Sequence, residues 1–359
     1  MADSLGAHVA RRKRTRAMTR DLVEVHAGIG VAYAGQMVDS SELVRDGKFA
    51  DLRQRLQDDG YLLLRQFLKA SEVYAARAFV CESIEEYLDP RHSLTDAVAS
   101  TATPYVPPAS NELPVRTVGK RKSPGSDRKL AAESDTDERR TKTQHEDVNP
   151  KLLDRQDLAH DHRLLSLFQH PKMWALFAEL FEVPEDQVAT TWYKWLRAVP
   201  TNGFTGLHFD RVYMGQGSPR LLTLWLPLGD TPSVLGSLLV APGSHSSSQF
   251  ASLRASYGSR PAGKDGTVSG WCADDPGTLE ALCGPINWVT ADFKAGDICI
   301  LGLDVLHMSS TNTSSPTRYR ISCDTRWQPA ADPVDKRVGK VVSHGEWLQQ
   351  LQVHDSDDL

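Results

Sequence analysis

The second half of the chain is made of short β-branched and aromatic runs separated by Gly, Pro, Asn and Ser turns. "ATTWYKWLRAV" (189–199), "RLLTLWLPLGD" (220–230), "GSLLVAPGSH" (236–245), "GDICILGLDVLHMS" (296–309) and "RYRISCDTRWQP" (318–329) each read as strand. Several short strands at this spacing, without an internal repeat, predict a barrel or jelly roll. The chain ahead of them is helical. "SELVRDGKFADLRQRLQDDG" (41–60) has apolar residues at helical spacing and stops at Gly60, "YLLLRQF" is a short strand, and "KASEVYAARAFVCESIEEYL" returns to the helical period. Residues 163–184, "RLLSLFQHPKMWALFAELFEVP", predict a strongly amphipathic helix. The fold class is therefore mainly β with flanking helices.

Domain limits follow from composition. At 359 residues the chain suits one large domain with extensions, or two domains. Residues 1–40 contain "RRKRTRAMTR" (11–20) and predict a basic, disordered extension; a mitochondrial presequence or nuclear signal shares that composition. One domain is expected over 41–345, interrupted by a charged insertion at about 110–148, with an acidic tail at 346–359. Lys+Arg 41 against Asp+Glu 46 gives no bias toward polyanions, so nucleic acid is not the expected partner. Five scattered cysteines without a CxxC pair argue against a disulfide framework or thiolate zinc site and for a reducing, cytoplasmic setting. No apolar run reaches the roughly 18–20 residues that cross a bilayer.

"GFTGLHFDRVYM" (203–214) carries His208 and Asp210 two apart, so both project to one side of a strand end. An imidazole and a carboxylate so placed are two thirds of a 2-His-1-carboxylate iron site, which leaves positions open for a cosubstrate and O2. His307, where the strand after Gly296-Asp297 should end, supplies a third donor. Taken singly, each is an ordinary polar residue of a strand. Arg318 lies eleven residues beyond His307, on the next strand, where a guanidinium can grip a dicarboxylate's far end; Arg320 shares its face and is an alternative.

"HFDRVYMGQGSPRLLTLWLPLGDTPSVLGSLLVAPGSH" followed by "GDICILGLDVLHMSSTNTSSPTRYRISCDTRWQP" resembles the phytanoyl-CoA dioxygenase family over roughly residues 50–330. The resemblance implies a double-stranded β-helix (jelly-roll, cupin-like) core and Fe(II)/2-oxoglutarate-dependent dioxygenase activity, with O2 consumed and succinate and CO2 released. It makes His208, Asp210 and His307 the metal ligands, Arg318 the 2-oxoglutarate anchor, Trp225 an aromatic wall of the cosubstrate pocket and His245 a structural turn residue. Related halogenating enzymes lack the carboxylate ligand, so Asp210 favours hydroxylation, desaturation or ring formation. The family's acidic residue and Asn-Gly before the Pro-Gly-Ser-His strand are replaced by "TPSVLGS", and the 110–148 insertion has no counterpart. The implied substrate is a small organic or lipid-derived molecule. Tyr213, Met214 and the 246–290 segment are expected to frame the entrance, with Arg211, Arg220 and Arg254 as either a basic mouth or solvated surface charge. Two other readings stay open: a metal-dependent β-helix enzyme that does not use 2-oxoglutarate, and a non-catalytic binding module.

Overall fold

The computed structural model describes residues 22–84, 152–262, 270–314 and 318–348. The basic run at 11–20, the 110–148 insertion and residues 349–359 of the acidic tail lie outside the described residues. In chain order the strands are β1 (Val23–Ala27), β2 (Gly30–Gln36), β3 (Tyr61–Leu64), β4 (Val188–Thr191), β5 (Trp195–Val199), β6 (Leu222–Pro227), β7 (Leu238–Ala241), β8 (Trp288–Thr290), β9 (Ile298–Gly302), β10 (Leu306–Ser309), β11 (Arg320–Pro329) and β12 (Val341–Ser343). They form two sheets. The smaller runs β1-β2-β8-β7-β10; the larger runs β12-β4-β11-β6-β9-β3, with β5 also paired to β11. Pairing is antiparallel except between β2 and β8. This is the expected jelly-roll core.

Alternation along each strand of the larger sheet separates two interiors. Leu224 and Leu226 of β6, Ile298 and Ile300 of β9, and Ile321, Cys323 and Trp327 of β11 pack outward under helices that contribute Val73, Trp174 and Phe177. Trp225, Cys299 and Leu301 point the other way and meet Leu238 and Val240 of the smaller sheet. Both faces are covered, which is why the strands read as near-continuous apolar runs.

Three predicted elements break where local chemistry requires it. The 163–184 helix is two, His162–Phe168 and Pro171–Phe181, because Pro171 starts a new helix. The 41–60 helix is interrupted at Gly47, which takes a left-handed φ of 67° between Ser41–Arg45 and Phe49–Asp59. The run 189–199 splits into β4 and β5 around Lys194, whose backbone N–H donates to Gln156 Oε1 at 3.1 Å and whose carbonyl accepts from Gln156 Nε2 at 2.8 Å.

The expected extension over 1–40 is too long. β1 and β2 form a hairpin that edges the smaller sheet, burying Val25, Ala27, Ala32 and Ala34 while Glu24 and Tyr33 face outward. The basic composition of 11–20 masked a period-2 pattern with Gly28 and Gly30 at its turn.

Gly60 ends the Phe49–Asp59 helix with φ 79°, and a Cβ there would lie 2.6 Å from Nδ1 of His245. His245 in turn reaches the carbonyl of Gln57 through Nε2 at 2.8 Å, so the Pro-Gly-Ser-His turn is bolted to this helix end as a structural element. Gly60→Ala is expected to destabilise the fold by about 1–3 kcal/mol, read from chemical denaturation, through the left-handed φ and the His245 clash.

Candidate metal centre

His208 and His307 face each other across an isolated antiparallel bridge. His208 N–H donates to the His307 carbonyl at 3.0 Å and His307 N–H returns the bond at 3.1 Å. The ring centroids are 4.2 Å apart. Each ring places Nδ1 on the carbonyl two residues earlier, His208 on Gly206 at 2.8 Å and His307 on Val305 at 3.0 Å. With Nδ1–H donated to a carbonyl, each imidazole presents the Nε2 lone pair.

Both Nε2 atoms converge on Oδ1 of Asp210, at 3.5 Å from His208 and 4.0 Å from His307. Asp210 precedes the short helix Arg211–Met214 as its N-cap residue. All three residues are buried. One candidate donor atom from each lies within 4.8 Å of the others, the one such group among the described residues. Burial, with the His208 imidazole adding to it, pushes the His307 pKa down to about 4, so this ring is neutral at neutral pH, as a ligand must be. Burial alone would raise the Asp210 pKa. The Arg326 guanidinium and the two imidazoles outweigh it and hold the carboxyl well below its usual range. Two imidazoles and one carboxylate are the donor set that suits ferrous iron, so the residues present fit that ion.

The triad lines a cavity of about 240 Å³ with Trp195, Arg197, Tyr213, Trp225 and Arg320. β11 supplies its polar wall through Arg320, Asp324 and Arg326, all on one face of the strand. Arg320 is 2% exposed, and its Nε and Nη2 are buried without a hydrogen-bond partner. Burial, with Arg197 adding to it, lowers its pKa to about 10, which leaves it charged at neutral pH. Its guanidinium carbon lies 5.9 Å from the Trp225 ring centre, and Trp225 also meets Phe293 edge-on at 4.8 Å.

Arg318 is the one predicted site residue that lies elsewhere. It precedes β11, where strand alternation does not yet hold, and is absent from the cavity wall. Its N–H donates to Ser314 Oγ at 3.2 Å, its carbonyl accepts from Asn312 Nδ2 at 2.6 Å, and its charge acts on Arg77 of the helix Ala70–Ser83. Arg320, the alternative, occupies the cavity. Tyr213 and Met214 line the cavity as expected, and of the described residues of 246–290 only Trp271 joins them. Arg211, Arg220 and Arg254 do not form a basic mouth. Arg211 pairs with Asp304, Arg220 with Asp332 at 2.6 Å, and Arg254 donates to the Ser244 carbonyl.

Among the cavity residues that escaped the sequence reading are two that pair with each other and two that meet Asp210. Arg197 and Asp324 pair at 3.2 Å, and Thr223 and Arg326 both meet Asp210 Oδ2, Arg326 through Nη2 at 3.4 Å. The signal for two of them was present as alternation beyond Arg320 in "RISCDTRW".

A curated relative, 1-deoxypentalenic acid 11-beta-hydroxylase of Streptomyces exfoliatus, is 32% identical over 128 residues, which is 35% of this chain and 42% of that protein. The match thus spans less than half of the relative's length. Among solved structures, the epimerase SnoN in complex with Fe3+, alpha ketoglutarate and nogalamycin RO aligns with TM-score 0.44 at 16% identity, covering 81% of this chain and 88% of that one. AviO1 from Streptomyces viridochromogenes Tue57 aligns with TM-score 0.44 at 18% identity, covering 80% and 97%. The phytanoyl-CoA dioxygenase family model matches residues 56–319, well over half the chain and enclosing His208, Asp210 and His307. The chain belongs to the phytanoyl-CoA dioxygenase family, whose members are Fe(II)- and 2-oxoglutarate-dependent oxygenases.

Proposed function

We propose that this chain is an Fe(II)/2-oxoglutarate-dependent dioxygenase that hydroxylates a small organic or lipid-derived substrate and releases succinate and CO2. The observation that carries this reading is the pairing, in one buried cavity, of the His208/Asp210/His307 donors with the partnerless Nε and Nη2 of Arg320. His208, Asp210 and His307 would hold the ion. Bound there, iron would supply the redox chemistry that couples O2 reduction to oxidation of cosubstrate and substrate.

Arg320 would grip the far carboxylate of 2-oxoglutarate with parallel N–H donors, taking the role first expected of Arg318. Ser322, two residues on, adds a hydroxyl whose oxygen is buried and unpartnered. Trp225 would wall the cosubstrate, while Trp195, Tyr213 and Met214 exclude water and orient an apolar part of the substrate. A carboxylate in the triad supports hydroxylation over halogenation. All five cysteines are free, which supports a reducing compartment. Among the described residues no helix is long and apolar enough to cross a membrane.

The test is an anaerobic titration of Fe(II) and then 2-oxoglutarate into the purified chain, followed by visible absorption. The expected result is a weak metal-to-ligand band from the chelated 2-keto acid, with succinate formed once O2 is admitted. Iron bound without a band would replace this reading by a metalloenzyme that does not use 2-oxoglutarate. Failure to bind iron would favour a non-catalytic binding module.

A further inference from the structure

The two oxygens of the Asp210 carboxylate have different surroundings. Oδ1 faces the Nε2 atoms of His208 and His307 at 3.5 and 4.0 Å. Oδ2 points the other way, accepts a hydrogen bond from the Thr223 hydroxyl and lies 3.4 Å from Nη2 of Arg326. Thr223 and Arg326 are direct cross-strand partners in the β6–β11 register. They are 2% and 3% exposed, so water does not compete for either contact. Arg326 is also held independently of Asp210: its Nε lies 3.0 Å from the Met214 sulfur, and its guanidinium carbon sits 4.5 Å from the Trp195 ring centre.

We propose that Thr223 and Arg326 are positioning residues that hold Asp210 as a one-oxygen metal ligand, with Oδ1 reserved for the ion and Oδ2 clamped. This role rests on the iron-binding reading above. A carboxylate can bind a metal through one oxygen or two. Turning Oδ2 toward the ion would fill a position that the facial triad must leave open for cosubstrate or O2. Here that turn would break the Thr223 bond and draw the carboxylate away from a guanidinium fixed by two other contacts. The two residues also divide the work. Thr223 supplies orientation without charge. Arg326 adds a positive charge beside the ligand, which weakens cation binding even as it steers the carboxylate.

The experiment uses the full chain with Thr223→Val, Arg326→Gln and Arg326→Lys. Co(II) replaces Fe(II) as a coordination probe, because its visible bands lose intensity as the coordination number rises. Separately, 2-oxoglutarate is titrated anaerobically into the Fe(II) protein. Thr223→Val is expected to stay folded by circular dichroism, to show weaker Co(II) bands, and to bind metal and 2-oxoglutarate roughly 10–100-fold more weakly. Arg326→Gln should move the Co(II) spectrum in the same direction without the full loss of metal affinity, because a repelling charge is also removed. Arg326→Lys should fall between it and wild type. A Thr223→Val protein whose Co(II) spectrum and 2-oxoglutarate titration superimpose on wild type overturns the proposal, whether or not the Arg326 variants fold. A wild type that binds no metal would instead overturn the oxygenase reading together with it.

Discussion

Asp210→Ala is expected to abolish iron-dependent succinate formation, with at least about a hundredfold loss, since disturbing even an outer partner of a metal ligand weakens such sites 10–100-fold. It should also destabilise the protein, for a reason unrelated to catalysis. Arg326 is almost fully buried, and Asp210 is the nearer of the carboxylates that offset its charge; Asp324 lies 4.0 Å away. Leaving a buried charge without its partner costs about 3–5 kcal/mol, and the more distant Asp324 should reduce that to the lower part of the range. Thermal unfolding of the metal-free proteins separates the two effects. Asp210→Ala should melt well below wild type, and the double variant Asp210→Ala/Arg326→Met should recover much of the loss while staying inactive. If the single variant melts like the wild type, the Asp210–Arg326 contact contributes nothing to the fold.

The second large effect distinguishes two arginines that sequence alone places on the same face. Arg320→Met should raise the 2-oxoglutarate concentration for half-maximal turnover roughly 100-fold, the equivalent of about 2.7 kcal/mol and within reach of two charge-assisted hydrogen bonds. Arg318→Met should change it by no more than about twofold, as expected of a residue outside the cavity. Steady-state kinetics at saturating iron, with succinate as the readout, measures both. The reverse order would return the cosubstrate anchor to Arg318 and leave the partnerless nitrogens of Arg320 in need of another ligand.

The contrast shows where sequence reading held and where it stopped. His208, Asp210 and His307 were legible from residue type and spacing, although Asp210 opens a short helix rather than continuing a strand, and His307 lies near the start of β10, one turn beyond the end of β9 where it was expected. The jelly-roll core was legible in the apolar runs, since a sheet covered on both faces hides no polar alternation. Arg318 and Arg320 differ only in whether β11 has begun, and a strand boundary is set by which backbone groups find partners. Ser314 and Asn312 take those of Arg318 before the ladder starts. Thr223 and Arg326 were out of reach for a different reason. Each lies on a strand that could be read, but their meeting depends on the register between β6 and β11, which no single run encodes. The β1–β2 hairpin was missed because its alternating pattern adjoins a strongly basic segment, and average composition outweighed period.

The bridge between His208 and His307 bears on how such a protein can change over evolutionary time. The spacing of the two imidazole-bearing residues is set by two reciprocal main-chain hydrogen bonds, which any pair of residues with backbone N–H groups would make. Side chains around the cavity can therefore drift, enlarging or recharging the space beside the candidate centre, without moving the residues that would grip a metal there. Selection for a new substrate and retention of the metal centre then act on nearly separate sets of atoms.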